Sequence, residues 1–236
     1  MNKIFAIAAK ELKAYFKSPI AYIVLIITIS IFNLFFFMVI DENRESTLRD
    51  IFKVMEFLFV FIVPLLTMRI FAEEKSTGTM EFLMTTPTSN TVIVFGKYLG
   101  SLLFFSLIIG FSFSYYLIIE YFGHPDRAAT FLGYLGLWLE GAMFIAIGLM
   151  TSSWSRNQIV SAMCTYVILI FLYFAIGFIK YVSTTLEPLI QYVGVLTHSE
   201  NLTNGVLATS DIIYFVSIIL FSLFITRISI ENRLWR

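Results

Sequence analysis

The sequence is short of what water-soluble folding and side-chain catalysis draw on. Charged residues make up 14% of its 236 positions, where soluble domains carry roughly a quarter. There is one cysteine and there are two histidines. Cys164 forms no internal disulfide, and so says nothing about redox compartment. His124 and His198 lie too far apart for zinc-ligand spacing. No G-x-x-x-x-G-K-[ST] occurs: Gly96-Lys97-Tyr98 lacks both the earlier glycine and the following hydroxyl, which excludes nucleotide binding by a P-loop. The formal net charge is zero, so no basic surface argues for nucleic acid. Lysines recur through residues 1–17 without an A-x-A-like site, which predicts that no signal peptide is removed.

What is abundant is apolar: 58% of residues are hydrophobic, with a mean hydropathy of +0.85. The apolar blocks are about 20 residues long, the length a helix needs to cross ~30 Å of hydrocarbon and more than a barrel strand requires. The expected spans are Ala21 to Ile40, Phe57 to Phe71, Val92 to Ile119, Phe131 to Met150, Ile159 to Ile179 and Ile212 to Ile225. The fold class is thus an all-α integral membrane protein with six transmembrane helices, read as one transmembrane domain over 1–236. With the N-terminus inside, eleven of the sixteen Lys and Arg fall on the inner side, and the outer five are diluted by acids such as Asp41, Glu42 and Asp126. The positive-inside rule then places both termini in the cytoplasm.

Residues 1–17 predict an amphipathic interfacial helix, with Lys3, Lys10, Lys13 and Lys17 on one side and Phe5, Ala8, Leu12, Tyr15 and Phe16 on the other. Ser18-Pro19 turns the chain into the first span. Asp41 to Lys53 reads as a charged outer connector and Thr151 to Asn157 as a tight inner turn, where Ser152 and Ser153 suit helix caps. The segment 181–211 reads as short outer helices, since Leu186, Leu189, Ile190, Val193 and Leu196 recur at helical spacing.

Two places concentrate polarity. In the inner loop 72–87, Met80, Leu83 and Met84 fall at i, i+3 and i+4 while Glu81 points elsewhere. Gly78 or a neighbouring hydroxyl can start a short helix, and Pro87 ends it by pushing Thr86 out of helical geometry. Such a helix is marginal alone, so its apolar face rests either on lipid headgroups or on a soluble partner. The second place is Glu140, near the middle of the fourth span. An acid there is costly and marks either a functional site or a buried, hydrogen-bonded contact. Gly133, Gly136 and Glu140 share one helix face, which predicts a close helix contact. With no Lys or Arg at comparable depth, Glu140 is expected to be protonated and to donate a hydrogen bond.

Met68-Arg69-Ile70-Phe71-Ala72-Glu73-Glu74-Lys75-Ser76-Thr77-Gly78-Thr79-Met80-Glu81, followed by Thr86-Pro87, resembles the coupling loop of permease subunits of the type-2 exporter family of ATP-binding-cassette (ABC) transporters. Gly141 to Leu149 with Ser152, Ser153, Asn157 and Gln158 is similar to that family's fourth span and inner turn. His198, Glu200, Gly205, Asp211 and Tyr214 are similar to its outer helices. The nearest flavours are the gliding-motility-associated permeases and those serving nitrous oxide reductase maturation. Glu140, and Asn201 to Asn204, depart from the family pattern.

The resemblance implies a permease subunit in a bacterial cytoplasmic (inner) membrane, exporting a substrate or passing conformational change across the bilayer. It implies a coupling helix in loop 72–87, where Glu73, Glu74 and Lys75 orient a partner, Met80, Leu83 and Met84 anchor it, and Gly78, Thr79, Glu81 and Pro87 complete the set of ATPase-coupling residues. It implies an outer motif at His198, Gly205 and Asp211. The implied partners are an ABC ATPase subunit, a second permease copy or homologue, the lipid bilayer, and an accessory outer protein. The chain itself would bind no cofactor, with ATP and magnesium held by the ATPase. Two other classes compete: a proton-coupled secondary carrier using Glu140, and an intramembrane enzyme, for which paired acids, zinc ligands and a Ser-Lys arrangement are lacking. In a Cys164-free background, cysteines placed singly at Ser76 and Thr185 are expected to label from opposite sides of the membrane; labelling of both by an impermeant reagent in intact cells would rule out the six-span topology.

Overall fold

The computed structural model describes residues 2–43, 47–80, 88–123, 125–177 and 187–231, and among these there are helices and no strand. The helices are α1 (Asn2–Lys17), α2 (Pro19–Asn43), α3 (Arg49–Thr67), α4 (Arg69–Ser76), α5 (Asn90–Phe122), α6 (Arg127–Trp154), α7 (Gln158–Phe174), α8 (Glu187–Val193), α9 (Val195–Thr203) and α10 (Thr209–Glu231). Six are long and apolar enough to cross a membrane: α2, α3 continued by α4, α5, α6, α7 and α10. The protein is a multi-pass membrane protein. Six crossings bring α1 and the end of α10 to one face, here called proximal. The α5–α6 turn and helices α8 and α9 lie at the opposite, distal face.

Helix α6 is the axis of the bundle. Every residue from Leu139 to Ser153 is buried, the pattern of a helix that is packed on all sides. Asp126 starts it as a side-chain cap, accepting from the amides of Ala128 and Ala129 at 3.0 and 3.3 Å. Its glycines let neighbours approach closely: a Cβ on Gly148 would lie 2.1 Å from Thr67 Oγ1, and one on Gly141 2.0 Å from the Phe105 ring. In lipid, where apolar side chains gain little by leaving one solvent for another, such small-residue contacts and their packing hold helices together. Helices α3, α5, α7, α9 and α10 pack on this axis, and α2, α7 and α10 expose apolar faces, including Phe37, Phe171 and Phe221.

Helix α1 forms over Asn2–Lys17 as expected, and part of its apolar side meets protein. Its buried positions are Ala8 and Tyr15, while Phe5 and Phe16 are exposed. The reason lies in α5, where Gly96 and Gly100 form a small-xxx-small stripe. A Cβ on Gly96 would sit 2.7 Å from Ile7 Cβ, and one on Gly100 2.6 Å from Glu11 Cβ. The leading helix therefore packs on protein along that stripe. The 151–157 turn is shorter than expected: α6 continues through Ser152 and Ser153 to Trp154, and Asn157 caps α7 by accepting from the Ile159 amide at 2.9 Å.

The second span is broken at Met68, between α3 and α4. Pro64 inside α3 already removes one amide donor. The break faces Gly148 of α6 through Thr67, so the local approach of α3 to α6 depends on the missing side chain. Replacing Gly148 with Ala improves helix propensity by about 1 kcal/mol but overpacks the contact by about 1–3 kcal/mol. Gly148→Ala is expected to lower the thermal unfolding temperature in nanodiscs, and Gly148→Val to lower it further. An unchanged or raised temperature in both variants would show that α3 separates from α6 without penalty.

Candidate functional site

The break at Met68 leaves backbone groups without helical partners at the proximal end of the bundle. Ser152 of α6 satisfies most of them. Its Oγ accepts from the amides of Phe71 and Ala72 at 3.0 and 3.1 Å and donates to the Met68 carbonyl at 3.1 Å. It is thus an N-cap for α4 supplied by another helix, not a cap of its own helix. From the opposite side the Tyr15 hydroxyl of α1 donates to the Leu66 carbonyl at 3.0 Å and lies 3.2 Å from Ser101 Oγ. Burial pushes the Tyr15 hydroxyl well above the ordinary tyrosine range, so it remains a donor across physiological pH. Arg69 stacks its guanidinium 4.9 Å from the Tyr15 ring centroid and bonds Ser18.

Lys97 of α5 is the electrostatic centre of this region. Its side chain is 1% exposed, and its three ammonium hydrogens match three acceptors: Glu11 Oε1 at 2.7 Å, Glu74 Oε1 at 2.7 Å and the Ile70 carbonyl at 3.1 Å. The Phe71 ring lies 5.2 Å away. One cation therefore ties α1, α4 and α5 together. On the far side of α4, Lys75 bonds the Ser153 carbonyl, which also accepts from Ser229 Oγ of α10 at 3.1 Å. A lysine at the C-terminal carbonyls of α6 complements the negative end of that helix.

Glu74 and Lys75 thus face inward, because the buried ammonium of Lys97 needs acids and the end of α6 needs a donor. Glu73 and Thr79 are exposed. Gly78 takes φ +73°, the left-handed turn that closes α4, with Thr77 Oγ1 donating to the Glu73 carbonyl at 2.9 Å. Met80 is buried in the apolar core. Glu81, Leu83, Met84 and Pro87 lie outside the described residues. A cleft of 600 Å³ opens between α1 and α4, lined among others by Lys10, Lys17, Arg69 and Glu73. Its charges make it suited to a polar protein surface rather than to an apolar ligand.

The distal residues form a separate group. His198 Nδ1 is 2.7 Å from Asp211 Oδ1 and Nε2 is 3.0 Å from the Tyr192 carbonyl; Asn201 donates to Asp211 Oδ2 at 3.0 Å. The His198 ring stacks on Tyr214 at 4.0 Å, and Tyr214 donates to the Val193 carbonyl at 2.6 Å. These bonds fasten α8 and α9 to the start of α10. Gly205, at φ +83°, turns the chain out of α9 beside Ala129.

Glu140 is fully buried. Gly133 and Gly136 on its face do receive neighbours, Phe52 of α3 and Leu202 of α9. The expected hydrogen bond is not found: among the described residues neither carboxyl oxygen of Glu140 has a partner. Sequence reasoning missed Glu56, buried in α3, because the second span was begun at Phe57; the apolar run simply continues through it. It also counted Lys97, inside the expected third span, only as an inner-side charge, although Gly96 and Gly100 flank it at the spacing of a helix contact.

Removing the Lys97 ammonium leaves Glu11 and Glu74 facing each other without a cation, a loss of about 3 kcal/mol for a buried pair. Lys97→Met is expected to lower thermal stability and to raise hydrogen exchange across α1. Unchanged exchange in α1 would show that the glycine stripe alone holds that helix.

Residues 5–230 match the family model described as ABC-2 family transporter protein. A comparison with curated proteins returns no match. A family match over almost the whole chain agrees with the six membrane-crossing helices, and the chain accordingly belongs to the ABC-2 family, as a membrane permease component of an ABC transporter.

Proposed function

We propose that the protein is the permease half of an ATP-driven exporter, or of a machine that transmits force across the membrane, and that the segment from α4 to Pro87 docks the ATPase. The carrying observation is that α4 hangs from the buried axis by Ser152 and Lys75 and from the leading helix through Glu74 and Lys97. A displacement of this segment cannot occur without disturbing α6 or α1. The proximal face is then cytoplasmic, in a bacterial inner membrane, with ATP and magnesium held by the partner. Glu73, Thr79 and the cleft between α1 and α4 supply polar contacts. Leu83 and Met84 supply the apolar anchor, since a few buried side chains dominate such interfaces. A second permease copy or homologue completes the pathway through the exposed apolar faces, and an accessory protein joins on the outside.

Leu83→Asp places an unpaired charge in the docking groove at a cost of several kcal/mol. The expected result is loss of the co-purifying ATPase, or loss of permease-dependent stimulation of its turnover. Retention of the ATPase with normal coupled turnover would mean that the segment lies on lipid. Transport driven by a pH gradient with no ATPase bound would favour the proton-coupled carrier, the reading that Glu140 supports.

A further inference from the structure

The buried charge of Lys97 at the proximal face is paired, with Glu11 and Glu74. Two acids beneath the distal face are not. Glu140 of α6 is 0% exposed and Glu56 of α3 is 1% exposed. Both oxygens of Glu140 and Oε1 of Glu56 lack a hydrogen-bond partner among the described residues. The two carboxyls lie near enough for Glu140 to feel the charge of Glu56. Two ionised carboxylates side by side in a dry bundle, with no cation between them, would carry an uncompensated penalty of several kcal/mol per ion. The surroundings offer little relief. From α9, the Ser199 hydroxyl and the charge of Glu200 face Glu56; on its own helix Lys53 does so from nearer the surface. Tyr173 of α7 and Tyr214 of α10 lie within the field of Glu140. Asp211 and His198 are bonded to each other.

An opening leads toward this pair from the distal face. A cavity of 450 Å³ is lined by Phe52, Lys53, Ala129, Thr130, Thr203 and Asn204, among others. Glu56 is one helical turn deeper on α3 than Phe52 and Lys53. Ser199 is one turn deeper on α9 than Thr203 and faces Glu56. The cavity lining thus stops one turn short of Glu56 on α3 and of Ser199 on α9, and neither Glu56 nor Glu140 has more than 1% of its surface exposed.

We propose that Glu56 and Glu140 form a proton-binding pair, loaded from the distal face through the cavity above Glu56. A hydronium ion in the cavity gives up a proton as the Glu56 carboxyl O–H forms. The two carboxyls share no hydrogen bond, so a water molecule between them takes that proton from Glu56 and gives one up as the O–H of Glu140 forms, and Glu56 is left ionised below Lys53. Glu140 is the holding site, because no cation or donor compensates its charge. Glu56 is the exchanging site, because the Ser199 hydroxyl and the Lys53 ammonium do. A metal cation suits the site less well: hard cations take about six oxygens, and the described residues include no group of three His, Cys, Asp or Glu placed to hold one. The assignment is independent of ATPase docking, which occupies the opposite face.

The test is infrared spectroscopy of the full chain in nanodiscs. Wild-type protein at neutral pH is expected to show a carboxylic-acid carbonyl band that shifts in D2O and on 13C labelling of glutamate, which needs no mutation. Glu140→Gln should abolish the band, and Glu56→Gln should shift it. Exchanging choline for sodium should leave it in place. Asn204→Trp, an exposed change at the cavity rim, should slow the deuterium shift by about tenfold, equivalent to ~1.4 kcal/mol in the barrier. Absence of the band in wild type, its survival in Glu140→Gln, its loss on adding sodium, or deuterium exchange indifferent to Asn204→Trp would each overturn the proposal.

Discussion

A helix interrupted inside a packed bundle leaves backbone groups short of helical partners, and the interruption at Met68 is the constraint around which the proximal half is built. The Leu66 and Met68 carbonyls and the Phe71 and Ala72 amides must find partners outside their own helix. Ser152 and Tyr15 are those partners, and each belongs to a different helix. Their positions in turn require close approach: α6 comes near through Gly148, and α1 through the stripe at Gly96 and Gly100. The break therefore dictates where α1 and α6 sit, and the glycines make the positions reachable.

Lys97 adds charge to the same geometry. An ammonium 1% exposed is tolerable only when its hydrogens are all accepted, and the acceptors come from α1 and α4. Glu11 and Glu74 keep slight exposure of 12% and 18%, so the ion cluster lies at the edge of the cleft and not in the dry interior. A partner that enters the cleft would meet charges already committed to holding the fold. Its motion would pull on them directly.

The spans, the class and the loop with its acids were legible in the sequence because length and apolarity are local properties. So was the closeness implied by Gly133 and Gly136. What the sequence concealed depends on which helix meets which. Ser152 looks like the end of its own helix, and only the approach of α4 makes it a cap in another. Lys97 looks like an inner-side charge at the start of the third span until α1 is known to lie on Gly96 and Gly100. Glu56 was hidden by a boundary drawn one residue too late, an error of the kind that a run of Phe and Val invites. No periodicity reveals that part of the apolar stripe of α1, at Ala8 and Tyr15, meets protein and not lipid.

The two ends of the molecule differ in how they treat polarity. At the proximal end each buried charge is matched, which favours one rigid arrangement of α1, α4, α5 and α6. At the distal end His198, Asp211 and Tyr214 fasten α9 in place over Glu56 and Glu140, yet the acids themselves remain without donors. Burying polar groups unpaired is expensive, and a fold selected for stability alone would have apolar residues there. Because α6 carries Ser152 at one end and Glu140 three turns away, any tilt or slide of that helix moves the matched cluster and the unmatched pair together.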